Sequence, residues 1–240
     1  MIIMFHRIAN QPRCCPIKRF EQQVKFAKKI GATLTFDDSL KEHYTIALPI
    51  LKRYNMSGYF FVITNSQKQM APAHKIWLLL DRADTLIKQF DVRKEKFLPS
   101  NWYVYDSVGV ANLKFYFNTH QEDLDQVFGR YFDEQEEIEK LYMNWDEISE
   151  LHENGMRIGN HTHTHPILSN LSNEDQENEI RLSTNIIKKR IQKPIAFAYP
   201  LGMYNEVTLE LLKKYRYRLA VTTEPENLLL LRRIDTNEFY

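Results

Sequence analysis

Short apolar runs alternate with amphipathic stretches along most of the chain, and this alternation restricts the fold more than any other feature. The runs predict strands at 2–5, 32–36, 58–63, 156–160, 195–199 and 218–223. The stretches between them predict helices at 20–30, 39–55, 145–155, 173–192 and 206–215. Repeated strand–helix units predict a parallel sheet in an α/β fold. A count of six or seven strands fits an incomplete barrel or a doubly wound sheet, and periodicity does not choose between them.

The alternation is interrupted between about residues 65 and 142. Helical patterns at 74–90 and 122–142 flank an aromatic segment, 101–117, without clear periodicity. We therefore predict one domain over 1–240 that carries 65–142 as an insertion, either as a lid or as a partner surface.

Composition excludes some classes of protein. The 240 residues are 43% hydrophobic and 26% charged, with a formal net charge of +1, which argues against a general nucleic-acid binder. No apolar run approaches the roughly 18 residues of a membrane span. The first residues lack the apolar core of a secretory signal, so we expect a cytoplasmic location. Cys14 and Cys15 are adjacent, which favours reduced thiols over a disulfide.

Polar groups follow several of the predicted strands. His6 follows 2–5, Asp37 and Asp38 follow 32–36, a histidine-rich run follows 156–160, and "YPLG" follows 195–199. In parallel α/β folds the functional site lies at the carboxyl ends of the strands. We therefore expect these groups to meet at one edge of the sheet.

The run "HTHTH" offers three imidazoles at 161, 163 and 165. On a helical turn, His161 and His165 share a face, whereas on a continuing strand all three would do so. Pro166 favours the turn. Two imidazoles and one carboxylate form a facial set that leaves positions open, and such a set suits zinc, iron(II), cobalt or nickel. The alternative is a surface histidine tract.

The two adjacent aspartates are predicted to have different roles. One carboxylate can bind a metal while its neighbour takes a proton from an acidified water molecule. Such chemistry hydrolyses an amide or an ester. The alternative is that Asp38 caps the following helix.

These motifs resemble those of the NodB-type polysaccharide deacetylases, the fourth carbohydrate esterase family. "TFDD" at 35–38 resembles the first motif, "HTHTH" at 161–165 the second, and "FAYPLG" at 197–202 a divergent third. The resemblance covers roughly 1–64 and 143–236. It implies a distorted (β/α)7 barrel with an inserted segment, and removal of an N-acetyl group from an amino sugar.

The resemblance also implies roles for individual residues. Asp37 would be the general base, and Asp38, His161 and His165 would hold a divalent metal, usually zinc. The substrate would be an N-acylated amino sugar in a polysaccharide, a glycan precursor, or a lipid-linked or nucleotide sugar. No nucleic acid is expected as a partner, and peripheral membrane contact is compatible with the sequence.

The sequence departs from the family pattern at three points. Ser39 stands where family members commonly have glycine, Ala198 stands where an arginine usually braces the catalytic aspartate, and no histidine follows His165. Some members are circularly permuted, with the last motif at the N-terminus. On that arrangement His6 would be the general acid, and Arg233 in "LRRID" is our prediction for the replacement arginine.

Further substrate contacts are predicted at Tyr199, at Leu201, whose backbone could donate to an oxyanion, and at Trp102, which could stack on a sugar. His163 is assigned a role beside the ligands or at the surface, and the remaining histidines, among them His43, a surface or structural one. Three alternatives remain: a deformylase on a similar sugar, an inactive carbohydrate-binding relative, and a hydrolase of a small amide.

Overall fold

The structure, a computed structural model, describes residues 1–11, 13–90, 92, 107–222 and 230–235. Within these residues one sheet contains eight strands: β1 (Ile2–Phe5), β2 (Thr33–Phe36), β3 (Gly58–Val62), β4 (Arg157–Asn160), β5 (Ala196–Ala198), β6 (Leu219–Thr222), β7 (Leu230–Arg232) and β8 (Ile234–Asp235). The first six lie on the predicted apolar runs, and their ends differ from the prediction by no more than one residue.

The order of the strands distinguishes the two predicted architectures. From β1 to β7, each strand pairs in parallel with the next one in the chain. A doubly wound sheet reverses its strand order at a switch point. The described strands contain no such reversal, so the fold is an α/β fold with a curled parallel sheet, and the doubly wound alternative is excluded.

The last two strands explain why the sheet curls. Only Arg233 separates β7 from β8, yet β7 pairs with β6 and β8 pairs with β1. Because β1 and β6 lie at opposite ends of the other six strands, the sheet bends until both ends reach one short segment of chain. These two strands, of three and two residues, were not among the predicted ones.

The two faces of the sheet pack differently. On the helix side, the rings of Phe5 and Phe60 stack on either side of Phe36, with centroids 5.4 Å and 4.4 Å from it. Burial of each such ring contributes about 1.5–3 kcal/mol. On the inner face, Phe61 packs against small residues. A Cβ at Gly159 would lie 2.4 Å from the Phe61 ring, so only glycine leaves room for that ring.

Ten α-helices occur in the described residues: α1 (Ile17–Ile30), α2 (Leu48–Arg53), α3 (Pro72–Leu79), α4 (Ala83–Phe90), α5 (Val108–Thr119), α6 (Gln121–Phe128), α7 (Glu134–Leu141), α8 (Trp145–Glu153), α9 (Asn173–Arg190) and α10 (Glu206–Lys214). The helix predicted at 39–55 is wrong in its extent. A π-helical turn at His43–Ala47 precedes α2, and Pro49 lies in the first turn of α2. Pro49 has no N–H to donate to the preceding turn, and the Leu48 N–H bonds to the His43 carbonyl instead.

The chain divides into two compact units, Met1–Lys68 with Ile138–Tyr240, and Gln69–Glu137. In the second unit the buried ammonium of Lys75 lies 2.7 Å from an Asp125 oxygen and 2.8 Å from a Glu134 oxygen. The helices predicted at 74–90 and 122–142 are each broken into two, α3 with α4 and α6 with α7. The proposal that one domain spans the chain stays a prediction. No helix in the described residues is both long and apolar enough to cross a bilayer.

Candidate metal centre and active site

The carboxyl edge of the sheet brings together most of the predicted site residues. Asp37 and Asp38 follow β2, His6 follows β1, and the loop His161–His165 follows β4. The structure places Arg233 at the same edge, between β7 and β8. These side chains form two groups, one around each aspartate.

The first group surrounds Asp38. Its Oδ1 lies 3.3 Å from the His161 Nε2 and 3.4 Å from the His165 Nε2. One donor atom from each of the three residues falls within 4.8 Å of the other two, and all three side chains are buried. Two imidazoles and one carboxylate at this spacing are a donor set that suits a divalent transition metal.

The loop that carries the histidines is neither the predicted helical turn nor a strand. Thr162 and His165 adopt left-handed backbone conformations, with φ of 68° and 64°. The Thr162 hydroxyl accepts the His165 N–H at 3.0 Å, which closes the loop and turns both outer imidazoles toward Asp38. His163 points elsewhere, and its Nδ1 lies 2.8 Å from the Thr64 Oγ1.

A hydrogen bond fixes which nitrogen of His161 faces Asp38. The Nδ1 lies 2.8 Å from the Ala198 carbonyl oxygen, and because a carbonyl only accepts, Nδ1 carries the proton and donates. The Nε2 faces Asp38, and many histidines that bind metals likewise donate their other ring N–H to a carbonyl. Burial lowers the pKa of His161, but the carboxylates of Asp38 and Asp37 outweigh it and raise the pKa above its ordinary value. This negative surrounding favours a bound cation, so the residues fit a metal.

The second group surrounds Asp37, which is 1% exposed. The Arg233 Nη1 donates to its Oδ1 at 2.6 Å, and the His6 Nε2 lies 3.9 Å from its Oδ2. Burial raises the pKa of Asp37, but the nearby positive charges, Arg233 foremost, lower it further than burial raises it. Asp37 is therefore ionised at neutral pH.

Comparisons with known proteins assign the chain to a family. The sequence profile described as "Polysaccharide deacetylase" matches residues 25–220, which is more than half of the chain. The chain belongs to the polysaccharide deacetylase family. It is 32% identical to YxkH of Bacillus subtilis (strain 168), named as a polysaccharide deacetylase, over 87 residues, which are 36% of this chain and 31% of that relative.

Two solved structures share the fold. The Streptococcus pyogenes deacetylase PplD, in complex with acetate, has a TM-score of 0.64 at 22% identity, over 98% of this chain and 90% of that one. IcaB from Ammonifex degensii has a TM-score of 0.62 at 17% identity, with the same coverage.

Two departures of this chain from the family pattern lie at defined places in the structure. Ser39 has a left-handed φ of 59°, which glycine adopts freely. The serine compensates because its Oγ accepts the Ile63 N–H at 2.8 Å. At the other departure, Ala198 lies on the inner face with Phe61, and the guanidinium of Arg233 lies 5.7 Å from the Phe61 ring centroid. Ala198 and Arg233 therefore both lie near Phe61, and the Arg233 guanidinium contacts Asp37.

Sequence reasoning missed the groups that hold His6. His43, assigned a surface or structural role, is fully buried, and its Nε2 lies 2.8 Å from the His6 carbonyl oxygen. Burial lowers the pKa of His43, so the ring is neutral and its Nε2–H donates to that carbonyl. Glu42 pairs with Arg7 and accepts the Ile8 N–H. The available signal in the sequence was a histidine next to an acidic residue in a predicted helix.

The structure contradicts one predicted substrate contact, Tyr199. The Tyr199 side chain is buried on the helix side with Phe197, because it alternates with Ala198 along the strand direction, and burial raises the pKa of its phenol. Leu201 lies in an exposed turn with a φ of 54°. Trp102 lies outside the described residues.

Proposed function

We propose that this family member is a metal-dependent hydrolase that removes the N-acetyl group from an amino sugar. The observation that carries the proposal is the pair of adjacent aspartates with different partners. Asp38 faces the imidazoles of His161 and His165. Asp37 instead faces the guanidinium of Arg233 and the imidazole of His6. Membership of the polysaccharide deacetylase family and deacetylases of the same fold support this assignment.

Asp38, His161 and His165 would hold the cation, and we propose zinc because a set of two imidazoles and one carboxylate suits it. When bound, the cation would polarise the amide carbonyl and acidify a water molecule at the site. The Ala198 carbonyl would keep His161 in the tautomer that presents Nε2.

Asp37 would act as the general base that accepts the proton of the attacking water. Arg233 would orient its carboxylate and keep it ionised, which is the role we predicted for an arginine at this position. His6, whose side chain is 32% exposed, would donate a proton to the leaving amine. The Leu201 N–H makes no hydrogen bond to a residue in the described ranges, and it would donate to the developing oxyanion.

The finer features of the fold belong to the same proposal. If β7 and β8 are counted as one strand interrupted at Arg233, the sheet has the seven strands of a (β/α)7 barrel. A circular permutation would account for a catalytic histidine after the first strand. We propose an amino sugar in a glycan as the substrate, and the cytoplasmic location stays a prediction.

The inactive alternative depended on the loss of the bracing arginine. The guanidinium of Arg233 on Asp37 favours turnover over simple binding, because a binding module has no need of a buried ionised base. A deformylase would use the same residues and differ only in the acyl pocket, so the substrate panel must include both acyl groups.

The experiment measures bound metal and product release together. Wild-type protein, Asp38→Ala and Asp37→Asn are reconstituted with zinc, analysed for zinc content, and incubated with N-acetylated and N-formylated amino-sugar oligomers. We expect Asp38→Ala to lose zinc and turnover, and Asp37→Asn to keep zinc but lose turnover. Release of acetate rather than formate supports the deacetylase.

A matched control is Asp146→Asn, in the first turn of α8 and away from both aspartates of the site. It should keep zinc and turnover. Zinc in the wild type without release of either acid favours the inactive relative. A wild type that binds no zinc or other divalent transition metal would contradict the proposed function.

A further inference from the structure

The loop that carries the two imidazoles needs support from outside itself. Thr162 and His165 both have left-handed backbone conformations, and a β-branched residue such as Thr162 seldom adopts one. Such conformations persist only where surrounding contacts impose them. The question is which contacts impose them here.

One side of the loop is held by backbone groups. The Thr64 N–H donates to the Thr162 carbonyl at 3.2 Å, and the Asn65 N–H donates to the His163 carbonyl at 2.9 Å. These bonds satisfy loop carbonyls from the chain that follows β3. The N–H groups of His163 and Thr164 need acceptors on the opposite side of the loop.

A single carboxylate accepts on that other side. Glu179, in the second turn of α9, takes the N–H of His163 at 2.8 Å and the N–H of Thr164 at 2.9 Å on its Oε2. Its Oε1 takes the Thr164 hydroxyl at 2.8 Å. Three bonds to an ionised acceptor are stronger than three to a neutral one. The groups they hold lie between His161 and His165.

We propose that Glu179 is a positioning residue that fixes the histidine loop so that both outer imidazoles converge on Asp38. This inference rests on the proposed function, because it assigns Glu179 to the affinity of the same cation site. Among the described interactions Glu179 bonds to none of the three donor atoms, and it acts through the peptide groups of His163 and Thr164. Such supporting contacts of metal ligands typically change metal affinity by about 10- to 100-fold when removed.

The test compares Glu179→Leu, Glu179→Gln and a control on the same helix, Glu177→Leu. Glu177 also accepts two hydrogen bonds, from Lys214 and Tyr215, but does not touch the loop. The zinc Kd of each protein is measured by competition with a chromophoric chelator, and the Tm is measured without metal.

We expect Glu179→Leu to raise the zinc Kd by about 10- to 100-fold. Glu179→Gln should bind zinc nearly as the wild type does, because its amide oxygen can accept both N–H groups and its amide nitrogen can donate to the Thr164 hydroxyl. Glu177→Leu should leave the Kd unchanged even where the Tm falls.

Two results overturn the proposal while the proposed function stands. One is an unchanged Kd in Glu179→Leu, and the other is an equal rise in Glu179→Leu and Glu177→Leu, which would indicate general destabilisation. If Glu179→Leu does not fold, Thr164→Val deletes one of the three bonds, and an unchanged Kd in that variant overturns the proposal. A wild type without zinc overturns the proposed function and this inference together.

Discussion

The two halves of the site are built in different ways. The cation half, Asp38 with His161 and His165, comes from β2 and β4, which lie within the sheet. The proton half, Asp37 with His6 and Arg233, takes its partners from the ends of the sheet, after β1 and between β7 and β8. One half depends on a short loop, and the other depends on the curl that brings the two ends of the sheet together.

On the proposed function, this difference would separate metal binding from catalysis. The cation half can form where β2, β3 and β4 are paired, because Asp38 follows β2 and both histidines follow β4. The proton half needs the pairing of β8 with β1 as well, a ladder that extends over only two residue pairs. A change that loosens the last strands should therefore remove turnover while zinc remains bound.

The largest effect is expected for Arg233→Leu. It leaves the buried Asp37 carboxylate without its guanidinium, and breaking a buried ion pair costs about 3–5 kcal/mol of unfolding free energy. Turnover should be lost, and zinc should still bind to the folded fraction. Urea unfolding and zinc analysis check this. The double variant Asp37→Leu with Arg233→Leu should recover part of the stability and no activity. Loss of zinc in the single variant would show that the halves are not separable.

A smaller effect, on rate alone, is expected for His6→Gln. Loss of a general acid lowers kcat by roughly 10²–10⁴-fold. Zinc content and Tm should change little, because the His6 side chain is partly exposed and makes no contact with Asp38 among the described interactions. Steady-state kinetics on the released acid measures the change, with His152→Gln on α8 as the control. Wild-type kcat in His6→Gln would remove this imidazole from the reaction.

The folding stability at the strand that leads into the histidine loop should be sensitive to alkaline pH. The buried phenol of Tyr217 hydrogen bonds to Asn160, the last residue of β4, and burial raises the pKa of Tyr217 to about 12. The folded state therefore holds this proton more tightly than the unfolded chain, whose tyrosine pKa is about 10. The stability this provides is complete below pH 10 and is lost as pH rises toward 12.

Tyr217→Phe should lower the unfolding free energy by about 1–3 kcal/mol at neutral pH, because it removes two buried hydrogen bonds, one from the Asn160 amide and one with the Thr184 hydroxyl. It should also flatten the loss of stability between about pH 10 and 12, relative to the wild type. Denaturant unfolding at a series of pH values measures both. Parallel curves for the two proteins above pH 10 would contradict the assignment.

The smallest effect is expected for His163→Gln. The His163 ring contacts Thr64 and not Asp38, so the zinc Kd should stay at the wild-type value. His161→Gln is the contrast, and it should abolish tight binding. A large rise in Kd for His163→Gln would mean that the middle imidazole also holds the cation.

The same comparison explains how much could be predicted from the sequence. The first six strands and the ligands of the cation half could be predicted from local patterns, because each ligand directly follows an apolar run in the chain. His6 and Arg233 could be named only through a family resemblance and the absence of a later histidine. Their contact with Asp37 depends on strand pairing over a long separation, which no local pattern encodes.

Other features had no sequence signal that distinguished them. Glu179 is one of several acidic residues on a polar helix, and only the folded loop shows that its carboxylate accepts three bonds. The π-helical turn at His43–Ala47 precedes Pro49 and carries the His43 ring that bonds to the His6 carbonyl. Periodicity describes one element at a time, whereas these features arise where two elements meet.

The separation of Asp37 and Arg233 has a consequence for the order in which the protein matures. The two residues are 196 positions apart. A chain made from its N-terminus contains β1 to β6 before Arg233 has been synthesised. Until then Asp37 has no guanidinium from Arg233 beside it, and contacts of such long separation also form slowly. The pairing of the last strands is therefore the step that completes the surroundings of Asp37.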